Sequence, residues 1–95
     1  MRDDRFEWDD VKAASNALKH DVTFEEAREV FDDQNGLFEF DEDPDEERWK
    51  VTGRSAADIL VVVHVERGTR IRIISARVAT GREEADYRRQ ASSAG

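Results

Sequence analysis

The sequence predicts an α+β domain built around a small, twisted antiparallel sheet. The main observation is a long apolar run at residues 59–65, followed after a polar turn by a second β-branched run at residues 71–74. Two such runs predict a β-hairpin, with Gly68 able to adopt positive φ in the turn. The first run is typical of a central strand that is buried on both faces. Because a hairpin alone is marginally stable in water, further strands and helices must cover it.

The N-terminal third predicts one short strand and two helices. Residues 6–8 alternate between apolar and polar, and Asp9 or Asp10 caps a helix that runs to about His20. Its apolar residues share one face, while the opposite polar stripe is typical of a solvated surface. Thr23 and Glu26 form a capping box for a second helix that ends near residue 33. The apolar face of the first helix consists of Val11, Ala14 and Leu18, its polar stripe of Lys12, Asn16, Lys19 and His20, and the buried stripe of the second helix of Phe24, Ala27, Val30 and Phe31.

The remaining elements are three strands and a helix. A strand at residues 37–40 is followed by an acidic loop at 41–47, which lacks the spacing of a calcium loop and predicts a solvated segment. The strand at residues 48–54 places Trp49 and Val51 inward and its basic residues on the other face. A second capping box, Thr80 with Glu83, starts a helix to about Gln90, anchored by Tyr87. The predicted order is β–α–α–β–β–β–β–α, with one domain at residues 1–90 and a disordered tail at 91–95.

Composition excludes several classes of protein. The chain contains no cysteine, which excludes a disulfide scaffold and a cysteine-ligated zinc site. No apolar run approaches the roughly 20 residues of a membrane span, and the charged N-terminus does not resemble a signal peptide. We therefore expect a cytoplasmic protein without a membrane partner. Two histidines without clustered ligand spacing predict neither a metal nor another cofactor.

The charge distribution is strongly asymmetric. The net charge is −8, yet residues 48–82 contain eight basic side chains and two acidic ones, and seven of the eight are arginine. Arginine suits bidentate contacts to phosphate. This pattern predicts a basic sheet face beside acidic helices and loops, and a salt-bridged surface is the alternative explanation.

A group of basic side chains with one histidine on the central hairpin suits phosphodiester chemistry that needs no metal. RNA is cut when its 2′-hydroxyl attacks the adjacent phosphorus, which requires a base, an acid and cations for the phosphorane charge. Arg48, Lys50, Arg72 and Arg77 are candidate cations, and His20, Glu47 and His64 are candidates for proton transfer. For His64, hydrogen bonding within the sheet is the simpler explanation.

Residues 6–88 resemble the BrnT family. The resemblance rests on F6-E7-W8-D9, K19-H20, F24-E25-E26-A27, E47-R48, G53 and R72-I73-I74-S75-A76-R77, followed by A79-T80, E83 and Y87. The family pattern usually has glycine at the position of Asp21 and basic residues at those of Val78 and Gly81. The resemblance implies a RelE-like fold with helices packed on one side of the sheet. It also implies an endoribonuclease toxin that inhibits translation.

The same resemblance implies the partners, whereas the site residues are assigned from residue type and strand placement. The expected partner is a BrnA-like ribbon-helix-helix antitoxin, and the complex is expected to be a heterotetramer. The antitoxin covers an apolar or cationic surface of the toxin, and DNA is contacted only through the antitoxin. The alternative is a weakened toxin or a non-catalytic module that binds an antitoxin or a protein target. A stand-alone DNA-binding regulator is poorly supported, because no predicted helix presents a basic recognition face. The predicted catalytic residues are Glu47, His64, Arg72 and Arg77, and the predicted RNA-binding residues are Lys19, His20, Arg48, Lys50, Arg70 and Tyr87.

Overall fold

The structure is a computed structural model that describes residues 1–41 and 46–94 and shows an α+β fold. The elements are β1 (Phe6–Glu7), α1 (Asp10–His20), α2 (Phe24–Ala27), a 3₁₀ helix (Arg28–Asp32), β2 (Leu37–Asp41), β3 (Arg48–Arg54), β4 (Ile59–Arg67), β5 (Arg70–Val78) and α3 (Gly81–Ala94). Compared with the predicted order of elements, the observed order contains an additional 3₁₀ helix. The last helix also extends beyond its predicted end at Gln90, so residues 91–94 are helical. Most of the predicted acidic loop, residues 42–45, lies outside the described residues.

The five strands form one sheet in the order β1-β5-β4-β3-β2, with β4 at its centre. The predicted hairpin of β4 and β5 is confirmed, and Gly68 in its turn has a φ of 61°. The prediction of a purely antiparallel sheet is wrong, because β1 pairs in parallel with β5. These two strands are separated by most of the chain, including α1 and α2, so no tight turn forces them to be antiparallel.

The two faces of the sheet are covered differently. One face, here called the helix face, packs against α1, α2 and the 3₁₀ helix, and the other packs against α3. The prediction that the helices lie on one side is therefore wrong. The core of the helix face includes Phe6, Trp8, Phe24, Val30, Val51, Val62 and Ala76. Gly53 permits its close packing, because a Cβ there would lie 2.9 Å from Val30 Cβ.

Helix α1 presents the opposite face to the one predicted. Val11 and Leu18 are 79% and 90% exposed, whereas Asn16 is buried. The side-chain amide of Asn16 donates to the Ala76 carbonyl at 2.8 Å, and its oxygen accepts from the Ala76 N–H at 3.1 Å. The same amide donates to the Val22 carbonyl. Asn16 thus occupies the edge of β5 beyond the end of β1, and this pairing determines which side of α1 faces the sheet.

Both predicted capping boxes are present. The Thr23 hydroxyl accepts from the Glu26 N–H, and the Thr80 hydroxyl accepts from the Glu83 N–H. At the C-terminal end of α1, Asp21 adopts a left-handed conformation with φ of 55°. This explains why glycine suits that position. Within the part of the chain that is described, no helix is long and apolar enough to cross a membrane.

Candidate RNA-binding face

Four of the predicted cations share one face of the sheet. Lys50 lies opposite Val63 and Val63 opposite Ser75, while Arg72 and Arg77 lie opposite Val65 and Val61. Directly paired residues of antiparallel strands, and alternate residues of one strand, share a face. The register therefore places Arg48, Lys50, Arg72 and Arg77 together on the side away from the helix face. These four residues are called the cationic face below.

A β-bulge makes this arrangement possible. Arg72 and Arg77 are five positions apart, so a regular strand would place them on opposite faces. The pairing of β5 with β4 shifts between Val63 and His64, where Ile74 is an additional residue in β5. The extra residue restores the alternation, because one strand then has two residues opposite one of its partner. The sequence contains a sign of the bulge, since the doubled isoleucine at Ile73 and Ile74 interrupts the alternation of polar and apolar residues.

Glu83 holds two of the four cations. Its carboxylate accepts two hydrogen bonds from the Arg77 guanidinium, at 2.6 and 2.9 Å, and lies 3.9 Å from the Lys50 Nζ. The hydrogen bonds from Arg77 lower the pKa of Glu83 to about 2, and the same pair raises the pKa of Arg77. The capping box predicts only a structural role for Glu83. Nothing in its spacing shows that the same carboxylate reaches the sheet.

The other two cations are also paired with carboxylates. Arg72 donates to Glu7 of the neighbouring β1 at 2.9 Å, and Arg48 donates to Glu46 at 3.0 Å. These ion pairs are partly buried, which fixes the guanidinium groups in place. The structure therefore combines the two explanations of the charge pattern, because the basic face exists and is also salt-bridged.

Lys19 and His20 lie beside the cationic face. They line a surface depression together with Lys12, Asn16, Ile74 and Ser75. Ser75 lies between Arg72 and Arg77 in β5, and it shares their face through its pairing with Val63. The end of α1 thus extends the basic surface around the edge of the sheet. Glu47 is exposed and immediately precedes Arg48.

His64 lies on the other side of the sheet. It is 2% exposed, and its ring is in edge contact with Phe31, at 4.8 Å between centroids, and with Phe38 at 5.9 Å. Its Nδ1 atom has no hydrogen-bond partner among the described residues. Burial lowers the pKa of His64, so the ring is neutral at pH 7. The structure does not bring His64 together with the cationic face.

Arg70 and Tyr87 bind other parts of the chain. The Arg70 Nε donates to the backbone oxygen of Asp3 at 2.8 Å. The buried Tyr87 donates its hydroxyl to the Asp33 carboxylate at 2.5 Å, which attaches α3 to the segment before β2. Burial and this carboxylate raise the pKa of Tyr87. Tyr87 therefore positions α3, and with it Glu83.

Within residues 1–41 and 46–94, no group of three or more His, Asp or Glu side chains is arranged to hold a metal ion.

The comparison with known families gives a clear result. No curated protein matches the sequence. The model of a family described as "Ribonuclease toxin, BrnT, of type II toxin-antitoxin system" matches residues 8–83, which span most of the chain and include all four residues of the cationic face. The chain therefore belongs to the BrnT family of ribonuclease toxins of type II toxin–antitoxin systems.

Proposed function

We propose that this chain is an endoribonuclease that cleaves messenger RNA without a metal ion and thereby inhibits translation. The observation that supports this most strongly is the bulged register of β5, which brings Arg48, Lys50, Arg72 and Arg77 to one face of the sheet. Phosphate groups along a nucleic-acid backbone favour a surface of this kind. We also propose that the fold is RelE-like and that the toxin acts in the cytoplasm.

The reaction needs no group outside the RNA and the protein. The 2′-oxygen forms a bond to phosphorus, the bond from phosphorus to the 5′-oxygen breaks, and the products are a 2′,3′-cyclic phosphate and a 5′-hydroxyl. Negative charge accumulates on the phosphorane, where positioned cations lower the barrier. Arg72, Arg77 and Lys50 supply this charge. A guanidinium has five N–H donors, so Arg77 can contact phosphate while two of its donors bind Glu83.

The proton carriers are His20 and Glu47: one takes the proton of the 2′-hydroxyl, and the other donates a proton to the departing 5′-oxygen. His20 lines the depression beside the cationic face, Glu47 immediately precedes Arg48 in the sequence, and histidine and glutamate are residue types that commonly act as acid or base. Glu83 does not donate a proton near neutral pH, because its pKa of about 2 keeps it ionised. It acts as a positioning residue for Arg77. His64 is left out of this mechanism because it faces the other side of the sheet.

The partner belongs to the same proposal. Membership of a type II toxin–antitoxin family implies an antitoxin. We propose that it is a BrnA-like protein with a ribbon-helix-helix DNA-binding domain, that the complex is a heterotetramer, and that DNA is contacted through the antitoxin.

The direct test is cleavage of RNA by the purified protein in EDTA, with and without the antitoxin from the same operon, followed by analysis of the new ends. We expect 2′,3′-cyclic phosphate ends, and we expect the antitoxin to stop the reaction. A requirement for Mg²⁺ would contradict the mechanism.

A second candidate function is supported by the ion pairs of the cationic face. Each of the four cations is paired with a carboxylate of the same chain. A face neutralised in this way suits a toxin with weak activity, or a module that binds its antitoxin or a protein target without cutting RNA. Growth arrest without cleavage of free RNA or of ribosome-bound messenger RNA would favour this alternative.

A further inference from the structure

Strand β2 presents apolar side chains and, among the described residues, a backbone edge without a partner strand on the same part of the surface. It is the last strand of the sheet and pairs with β3 on one side; on its other side no strand of the described residues pairs with it. Phe38 and Phe40 are 50% and 53% exposed, although strand-edge phenylalanines are among the costliest residues to leave in water. They project onto the helix face, where Phe40 packs against Trp49. Such an edge is a template for one further strand.

The charge around β2 restricts what can bind there. The described residues on either side of and within β2, 32–41 and 46–47, contain six Asp or Glu and no Lys or Arg. RNA would be repelled by this segment, and so would the same edge of a second copy of the chain, because like charges would face each other. A basic protein segment would be attracted. The segment that fits has apolar residues at alternate positions, to cover Phe38 and Phe40, and has Lys or Arg on its other positions and flanks.

We propose that the β2 edge binds an extended basic segment of the antitoxin, which pairs with Leu37–Asp41 as a sixth strand. The inference uses the antitoxin partnership of the family and does not depend on how, or whether, the cationic face cleaves RNA. In this arrangement the antitoxin is held at the edge next to β3, which carries Arg48 and Lys50, so it can block the cationic face. The β2 residues that bind it take no part in the RNA chemistry. Backbone hydrogen bonds supply part of the affinity, and the two phenylalanines select the segment.

The test is hydrogen exchange of the full-length toxin, alone and saturated with the antitoxin encoded in its operon. We expect the amides of Leu37–Asp41 to become protected, and we expect protection to weaken with added salt, because the attraction is partly electrostatic. Protection confined to α1, whose Val11 and Leu18 are also exposed, would overturn the proposal.

Matched variants give a second, independent measurement. Phe40→Ser should weaken antitoxin binding roughly tenfold or more, as expected for an aromatic residue at the centre of an interface. Leu18→Ser removes a still more exposed apolar side chain from α1 and should change binding less than about threefold. Both should leave RNA cleavage unchanged. Normal antitoxin binding by the Phe40→Ser protein would overturn the proposal. A toxin dimer that this substitution abolishes would also overturn it.

The two proposals fail in different ways. If the toxin cleaves no RNA but β2 is protected by the antitoxin, the docking inference stands and the ribonuclease mechanism fails. If cleavage proceeds and the antitoxin stops it without protecting β2, the mechanism stands and the docking inference fails.

Discussion

The two faces of the sheet show how one set of strands serves two purposes. The helix face is apolar, and among the described strand residues His64 is the one ionisable side chain that is buried there, where burial lowers its pKa. The cationic face carries the arginines and is covered only in part, by α3 and its Glu83. Neighbouring residues of a strand thus have opposite environments, and the register decides on which face of the sheet each side chain lies. Stability comes mainly from the first face, and the chemistry we propose belongs to the second.

The largest expected effect is on the cationic face. Arg77→Ala and Arg72→Ala should each lower the RNA cleavage rate by roughly 10² to 10³, because each removes a positioned cation from the phosphorane. The measurement is single-turnover cleavage, with thermal unfolding to verify the fold. Arg89→Ala is the matched control, since Arg89 is an exposed arginine paired with Asp86 of α3, and it should retain wild-type activity. Full activity of both sheet variants would contradict the mechanism.

A second comparison separates the two sides of α1. Asn16→Ala should lower the free energy of unfolding by roughly 2 to 3 kcal/mol, because it leaves the buried N–H and carbonyl of Ala76 and the carbonyl of Val22 without their partner. Leu18→Ala should change it by less than about 0.5 kcal/mol, because Leu18 is almost fully exposed. Denaturation in urea measures both. A larger loss for Leu18→Ala than for Asn16→Ala would show that α1 packs as its hydrophobic pattern suggests.

Acid titration compares His64 with Glu83. Burial lowers the pKa of His64 in the folded state, so the unfolded chain takes up this proton first as the pH falls below about 6.5. Stability should therefore decrease below pH 6.5, by at most about 1.4 kcal/mol per pH unit. His64→Gln should remove this part of the pH dependence.

Glu83 acts in a lower range of pH. Its folded-state pKa of about 2 lies below its usual value, so its contribution is complete above pH 4.5 and is lost as the pH falls toward 2. Glu83→Gln should remove this part of the pH dependence of stability and leave the dependence near pH 6.5, which is due to His64, unchanged. Thermal unfolding between pH 3 and 8 distinguishes the two groups. Identical pH profiles for His64→Gln and the wild type would contradict the burial of a neutral imidazole.

The smallest expected effect is at the end of α1. Asp21→Gly should stabilise the fold by about 0.5 kcal/mol, because glycine adopts the observed φ of 55° without a Cβ clash, although it also gives the unfolded chain more freedom. Urea denaturation measures the change, and Asp21→Ala should instead destabilise the protein.

The sequence predicted the elements that depend on local signals. The hairpin, both capping boxes and the buried stripe from Phe24 to Val30 follow from apolar periodicity and cap residues, and the structure confirms them. Family membership was predicted from short segments distributed along the chain, and it is confirmed as well. The individual roles of the predicted site residues stay predictions.

What could not be predicted depends on contacts between distant residues. The bulge at Ile74 was visible only as a doubled isoleucine, yet it decides that Arg72 and Arg77 share a face. The packing side of α1 is set by Asn16 meeting Ala76, sixty positions later, and not by its apolar residues. His64 sits in an apolar run, but its side depends on its pairing with Trp49 and Ile73.

NMR of the labelled protein can show directly which face of the sheet binds RNA. The ligand is a short RNA whose scissile 2′-hydroxyl is replaced by hydrogen, so that it binds but is not cleaved. The side-chain Nε resonances of Arg72 and Arg77 report on one face, and the ring resonances of His64 and Phe38 report on the other. We expect the arginine signals to shift with RNA concentration while the ring signals stay unchanged. Shifts of the His64 and Phe38 rings without shifts of the arginines would place RNA on the helix face and contradict RNA binding by the cationic face.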